Sequence, residues 1–235
     1  MNIITPQYES EYRSKLISGE EAARLVQSNS RICYAGFILS PVYIDKFLAQ
    51  RVHELHNVKL QTQVYPGICQ AVWADQKREH IIFTNAHFSI GDRILHDKGL
   101  CDYLPSLFHE YPRTVECGYA GTDILFMRAT AMDKNGFFNF GIANTFVKTI
   151  IRHAKTVVVE VNKNIPYCLG GLDESVHISE VDYIVESDHA PLLTAPEESP
   201  SETEKKIASM LINEMKDGSC IQLGIGGMPN ALGKL

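Results

Sequence analysis

Residues Gln222 to Asn230 read Gln-Leu-Gly-Ile-Gly-Gly-Met-Pro-Asn, three glycines within four positions, after an apolar run and before a stretch that can coil. Glycine has no Cβ, so its backbone N–H groups can approach a ligand closely. A helix N-terminus behind the loop adds partial positive charge. Such a loop can hold a phosphate, a pantetheine amide or an oxyanion. It can equally be a tight strand-to-helix turn that binds nothing. A dinucleotide fingerprint fits poorly, because Pro229 stands where the third glycine belongs and no strand follows to carry the ribose-binding acid.

Other chemistry-bearing residues are scattered. Nine histidines include His53 and His56, three apart, but no HExxH pattern and no Cys/His cluster occurs. His109 and His177 stand without a second ligand at a useful spacing. No metal site is expected. There is no GxSxG elbow. Glu116 and Glu180 lie beside expected strands and could act as nucleophiles on paper, although a surface or capping carboxylate is the more common use. Trp73 to His80 is a charged stretch that reads as a solvated face. The six cysteines, at 33, 69, 101, 117, 168 and 220, form no CxxC pair and read as buried free thiols in a reducing compartment.

Composition narrows the classes. The chain has 235 residues, 45% of them apolar, enough for a sizeable core. Net charge is −6 without a basic stripe, which argues against nucleic acid. No apolar run reaches the ~18 residues of a membrane span. The N-terminus lacks a basic lead-in and apolar stretch of a secretory signal, so a cytoplasmic protein is expected, with no membrane partner.

Helical periods and apolar runs alternate along the chain. Helices are expected at 19–27, from Pro41 onward, at 144–154 and at 204–216, the last stopped by Asp217-Gly218. Strands are expected at Arg31–Gly36, 58–64, 80–88, 122–132, 155–161 and 220–223, with a hairpin signal at Asn135-Gly136. This alternation reads as an α/β fold, an open sheet with flanking helices. Proline-rich, acidic residues around 187–203 read as a domain boundary. The expected division is a first domain over 1–190, a linker over 191–203 and the opening of a second domain over 204–235.

The last unit resembles the first. Both run helix, turn, strand, glycine loop, proline, helix. Gly36 and Gly224 are 188 residues apart, and so are Pro41 and Pro229. Asn29-Ser30 faces Asp217-Gly218; Ile44 and Phe47 face Leu232 and Leu235. Two related α/β domains are inferred, the second only begun. A strand and half a helix cannot bury their apolar faces alone, so the remainder must come from further chain or from a partner.

Six segments in order, Ala35-Gly36-Phe37 with its following proline, "FHEYP", "DKNGFFNFG", "VVVEVNKNIP", "VHISEVDYIVES" and "IQLGIGGMPNA", resemble the acetyl-CoA hydrolase/CoA-transferase family, in particular its 4-hydroxybutyrate and butyrate:acetate branch. The resemblance covers nearly the whole chain. It implies two similar domains and transfer of CoA between short-chain carboxylic acids through a glutamyl-CoA thioester. Splitting the transfer into covalent steps assists a weak carboxylate nucleophile, and backbone N–H donors must stabilise the oxyanions. By the same resemblance, Gly224, Ile225, Gly226, Gly227 and Met228 form a CoA-binding loop, and Gln222 lines the active site. Gly36 and Phe37 form a second backbone wall toward the acyl group. The nucleophilic glutamate is expected after Leu235, not at Ser179-Glu180, so no catalytic residue is assigned within the chain and the chain alone is expected to be inactive. No permanently bound cofactor is implied; CoA or acyl-CoA is substrate. The family pattern also implies a homo-oligomer. Two alternatives remain at this level: an acetyl-CoA hydrolase on the same scaffold, or a CoA-binding subunit paired with a separate catalytic half.

Overall fold

Short apolar runs form the strands, and many of the segments between them coil into short helices. A computed structural model describes residues 6–118, 121–193 and 199–234. The chain divides into two units, Met1–Leu193 and Thr194–Leu235.

In the first unit the order is α1 (Pro6–Lys15), α2 (Gly19–Arg24), β1 (Arg31–Tyr34), α3 (Val42–Arg51), β2 (Val58–Thr62), α4 (Gln70–Ala74), β3 (Ile81–Asn85), α5 (Ile90–Asp97), β4 (Asp102–Tyr103) and α6 (Tyr111–Glu116). There follow β5 (Ile124–Ala129), β6 (Phe137–Asn139), α7 (Val147–His153), β7 (Thr156–Val161), β8 (Ser175–His177) and β9 (Tyr183–Glu186). Seven strands form one sheet in the order β4-β3-β2-β1-β5-β7-β9. Every pairing in it is parallel. The open α/β sheet expected from the sequence is therefore present.

Both faces of the sheet are covered, as parallel strands require. Alternate side chains serve opposite cores. Cys33, Leu125, Met127, Val157 and Val159 enter one apolar cluster. Ile32, Tyr34, Phe126 and Val158 enter the other. Ser18 and Ser89 start α2 and α5 with capping boxes, closed by Glu21 and Asp92.

Several expectations need correction. The run toward Val64 ends as a strand at Thr62, because Val64 takes a left-handed φ of 47°. Asn135-Gly136 does form a turn, with φ of 83° at Gly136. The flanking segments are joined across it, Asp133 N–H donating to the Phe137 carbonyl at 2.8 Å and Thr130 N–H to the Asn139 carbonyl at 3.0 Å, but the strand partner of β6 is the distant β8, paired antiparallel. Pro41 is the residue before α3 rather than its first helical position. The thiols are not uniformly buried: Cys117 and Cys220 are exposed, and Cys168 is half-buried.

The second unit contains α8 (Glu202–Ile212) and α9 (Gly227–Lys234). Ser201 and Glu204 close a capping box on α8. The helix ends before the expected Asp217-Gly218, and its apolar stripe of Ile207, Met210 and Leu211 is exposed. Cys220–Leu223 is not a strand. Extended chain needs a hydrogen-bonding neighbour to become one, and none of the described residues supplies it. Residues 194–198 of the expected linker, and Leu235 of the internal repeat, lie outside the described residues. Among the described residues no helix is long and apolar enough to cross a membrane.

Candidate active site

In an open α/β sheet, ligands bind outside the C-terminal ends of the strands where the strand order reverses. Here that point lies between β1 and β5, since the chain proceeds from β1 outward to β4 on one side and to β9 on the other. Gly36 and Phe37, selected from the sequence, leave β1 at that place.

The local backbone explains why these two residues stand there. A Cβ on Gly36 would lie 2.5 Å from the carbonyl oxygen of Gln63, so only glycine lets the β1 exit pass the β2 exit. Phe37 takes a left-handed φ of 57°. Its N–H donates to the carbonyls of Gln63 and Val64, each at 3.1 Å. The Val64 N–H in turn donates to the His87 carbonyl at 2.7 Å. Three successive strand exits are thus tied backbone to backbone. Two non-glycine residues in left-handed conformation, one of them β-branched, store local strain at this edge, a common mark of functional sites.

Two buried charges anchor the far end of the same loop. Arg128 on β5 and Glu160 on β7 are register partners in the sheet. Arg128 donates from Nε and Nη2 to the Ser40 carbonyl at 3.0 and 2.9 Å. Glu160 accepts from the N–H groups of Tyr43 and Ile44 at 3.0 and 2.9 Å, capping the start of α3. The two side chains stand 3.5 Å apart, with 5% and 1% of their residues exposed. Burial pushes the Glu160 carboxyl up to about 7, against the pull of the α3 N–H groups and of Arg128.

A third buried charge organises the neighbouring loop. Asp45 accepts from the hydroxyls of Tyr65 at 2.8 Å and Tyr34 at 3.2 Å, and from the Gln70 N–H at 2.6 Å. It thereby holds the segment after β2 against α3. Burial raises its carboxyl above the ordinary range while those donors oppose the rise.

Two cavities flank the loop. One of ≈ 650 Å³ lies toward β3 and β4. The other, ≈ 320 Å³, is lined by Ile38, Val42, Tyr65 and Arg128 among others. Phe37 sits next to the larger one, its ring edge-on to His87 and Phe108 at centroid distances of 6.5 and 6.4 Å.

The remaining sequence-derived residues lie in the second unit. Gln222 is exposed and Ile225 fully so. Gly224 precedes a turn; Gly226 has a φ of 142° that L side chains rarely adopt, and its carbonyl accepts from the Asn230 N–H at 3.0 Å. Gly227 opens α9, where a Cβ would run into the Glu204 carboxylate. Met228 is half-buried in the first turn of α9. The glycine loop and helix expected there are present.

Glu180 is ion-paired with Lys148 at 2.7 Å and closes a short cap with His177, a structural use. Glu116 ends α6 on the surface. Among the described residues no group of three or more His, Cys, Asp or Glu side chains could hold a metal. Arg128, Glu160 and Asp45 were not selected from the sequence. For Arg128 and Glu160 the signal was available: a charge inside an otherwise apolar β run, as in "ILFMRA" and "TVVVEV", has to be paired when both faces of the sheet are buried.

Residues 1–195 match the acetyl-CoA hydrolase/transferase N-terminal domain. The chain is 38% identical over 227 residues to a probable butyrate:acetyl-CoA coenzyme A-transferase of Syntrophomonas wolfei, covering 96% of this chain and 50% of that one. It is 32% identical to the butyryl-CoA:acetate CoA-transferase of Anaerostipes caccae, covering 97% and 51%. The crystal structure of RipA from Yersinia pestis superposes with a TM-score of 0.85 at 28% identity, over 95% of this chain and 53% of that one. The chain therefore spans about half the length of the curated relatives it matches.

Proposed function

Because this chain belongs to the acetyl-CoA hydrolase/transferase family, we propose that it is the N-terminal domain and the opening of the second domain of a CoA-transferase. The whole protein moves CoA between short-chain carboxylic acids of the acetate, butyrate or 4-hydroxybutyrate type. The observation that carries this reading is the tied loop at the β1/β5 switch point. Gly36 and Phe37 are held there by two backbone bonds to the β2 exit and by buried charges at the loop's far end. A wall fixed before substrate arrives suits a reaction whose demand is placement of an acyl carbonyl and its oxyanion.

In this reading the loop Gly224–Met228 receives CoA, with Gln222 beside the reacting carbonyl. A glutamate of the second domain, after Leu235, attacks the acyl carbonyl and gives a mixed anhydride. The released CoA thiolate attacks the glutamyl carbonyl, expelling the carboxylic acid and leaving a glutamyl-CoA thioester. The incoming acid reverses both steps, so the nucleophile is regenerated. Curated relatives named as butyrate and 4-hydroxybutyrate transferases support the substrate class.

The test is exchange of labelled acetate into butyryl-CoA by the protein expressed from its native reading frame. Label in acetyl-CoA is expected. Release of free CoA with no labelled acetyl-CoA contradicts transfer and favours hydrolysis.

A further inference from the structure

The larger cavity has a lining that the loop chemistry does not use. It sits at the C-terminal ends of β2, β3 and β4, with α5 as its outer wall. Phe88, Tyr103 and Phe108 contribute aromatic surface, and Phe88 meets the Tyr103 ring edge-on at 5.3 Å. Arg93 reaches it from α5, and His87 from the β3 exit. Among the described residues lining it, none is acidic. Arg93 enters no ion pair among the described residues, although salt bridges hold many other basic side chains of this chain. At the inner end Gln63 is 3% exposed, and its Oε1 has no hydrogen-bond partner. Its amide is therefore not fixed by the protein and can turn its N–H₂ to a ligand.

We propose that this cavity binds a ring-bearing carboxylate, its carboxyl group on Arg93 and Gln63 and its ring among Phe88, Tyr103 and Phe108. Each part of the lining supports the assignment. An unpaired guanidinium beside a free amide calls for a planar anion with two acceptor oxygens. Aromatic walls favour a flat or cyclic apolar body over a short chain. At ≈ 650 Å³ the cavity lies within the ~300–1,000 Å³ typical of small-molecule sites, far more space than acetate fills. Because Phe37 packs edge-on against two lining residues, the bound acid lies next to the loop that the transferase reading uses. The ring acid then sits beside the short-chain acids that are exchanged, and this placement alone rests on that reading.

Direct binding separates the two ideas, since it needs neither CoA nor turnover. The 235-residue chain is titrated with benzoate, cyclohexanecarboxylate, benzamide and acetate, each with and without inorganic phosphate, by calorimetry and amide chemical shifts. The ring acids are expected to bind about tenfold or more tighter than acetate and benzamide, with shifts at Gln63, His87–Arg93 and Tyr103. Arg93→Met is expected to lose about tenfold or more of that affinity, while Lys98→Met, outside the lining, loses none. Tyr103→Leu should narrow the preference for a ring. Equal binding of acetate, displacement of the ring acids by phosphate, or equal losses in the two cation variants overturns the proposal. Failure of acetate exchange with ring-acid binding intact would overturn only the transferase reading.

Discussion

Arg128 and Glu160 stand side by side on neighbouring parallel strands, and each holds a different part of the segment that leaves β1. The guanidinium takes the Ser40 carbonyl, and the carboxylate takes the N–H groups of Tyr43 and Ile44. The pair bridges the switch point and the first turn of α3. Removing one partner leaves the other charge buried, so Arg128→Met is expected to destabilise the first unit by about 3–5 kcal/mol. Glu160→Gln keeps an acceptor for α3 but leaves the Arg128 charge buried without its carboxylate, so a loss of similar size is expected. Urea unfolding checks the size of the two effects.

The same carboxyl gives stability a pH dependence. Its folded value is raised from 4.5 to about 7, so between those limits the folded state holds a proton that the unfolded state has released. Stability from this group is fully present below about pH 4.5 and declines as pH rises to about 7. Unfolding midpoints measured from pH 5 to 8 should therefore fall more steeply for the native chain than for Glu160→Gln. Equal slopes would remove Glu160 as the source.

Gly36→Ala places a methyl group against the Gln63 carbonyl, which is backbone and cannot swing aside. The loop must move, and with it the two Phe37 N–H bonds. A loss of about 1–3 kcal/mol is expected from overpacking. In the whole protein, acetate exchange should fall by about 10²-fold through displacement of the wall. Circular dichroism melts and exchange rates measure the two effects separately.

Thiol reactivity tests the burial pattern. Cys117 and Cys220 are exposed and should react at once with a thiol reagent under native conditions. Cys168 should follow more slowly. Burial raises the thiols of Cys33, Cys69 and Cys101, the first and last to about 12, and these should react only after unfolding. Fast labelling of Cys33 would contradict the covered face of β1.

The architecture was legible because period and run length carry it. "KTVVVEV" and "ILFMRA" announce strands buried on both faces, and both lie inside the sheet rather than at its edges. Gly36 was legible as a loop glycine, and the structure supplies the reason, a carbonyl where its Cβ would be. The partner of β6 was not legible: Asn135-Gly136 specifies a turn, but not which strand the next residues join, and β8 lies far along the chain. Cys220–Leu223 has the composition of a strand, yet pairing is decided by a neighbour that composition does not contain. Arg128 and Glu160 escaped notice because single charges in apolar strands show their meaning only once register brings them together, and Asp45 because its partners come from β1 and from the segment after β2.

The central claim is that this chain supplies the wall and the CoA loop while a second-domain glutamate carries the acyl group. It is tested most directly by incubating the protein from its native reading frame with butyryl-CoA, then mapping covalent CoA by mass spectrometry. The account predicts a glutamyl-CoA adduct on a glutamate beyond Leu235 and no adduct within residues 1–235. An adduct on Glu116 or Glu180 would contradict it.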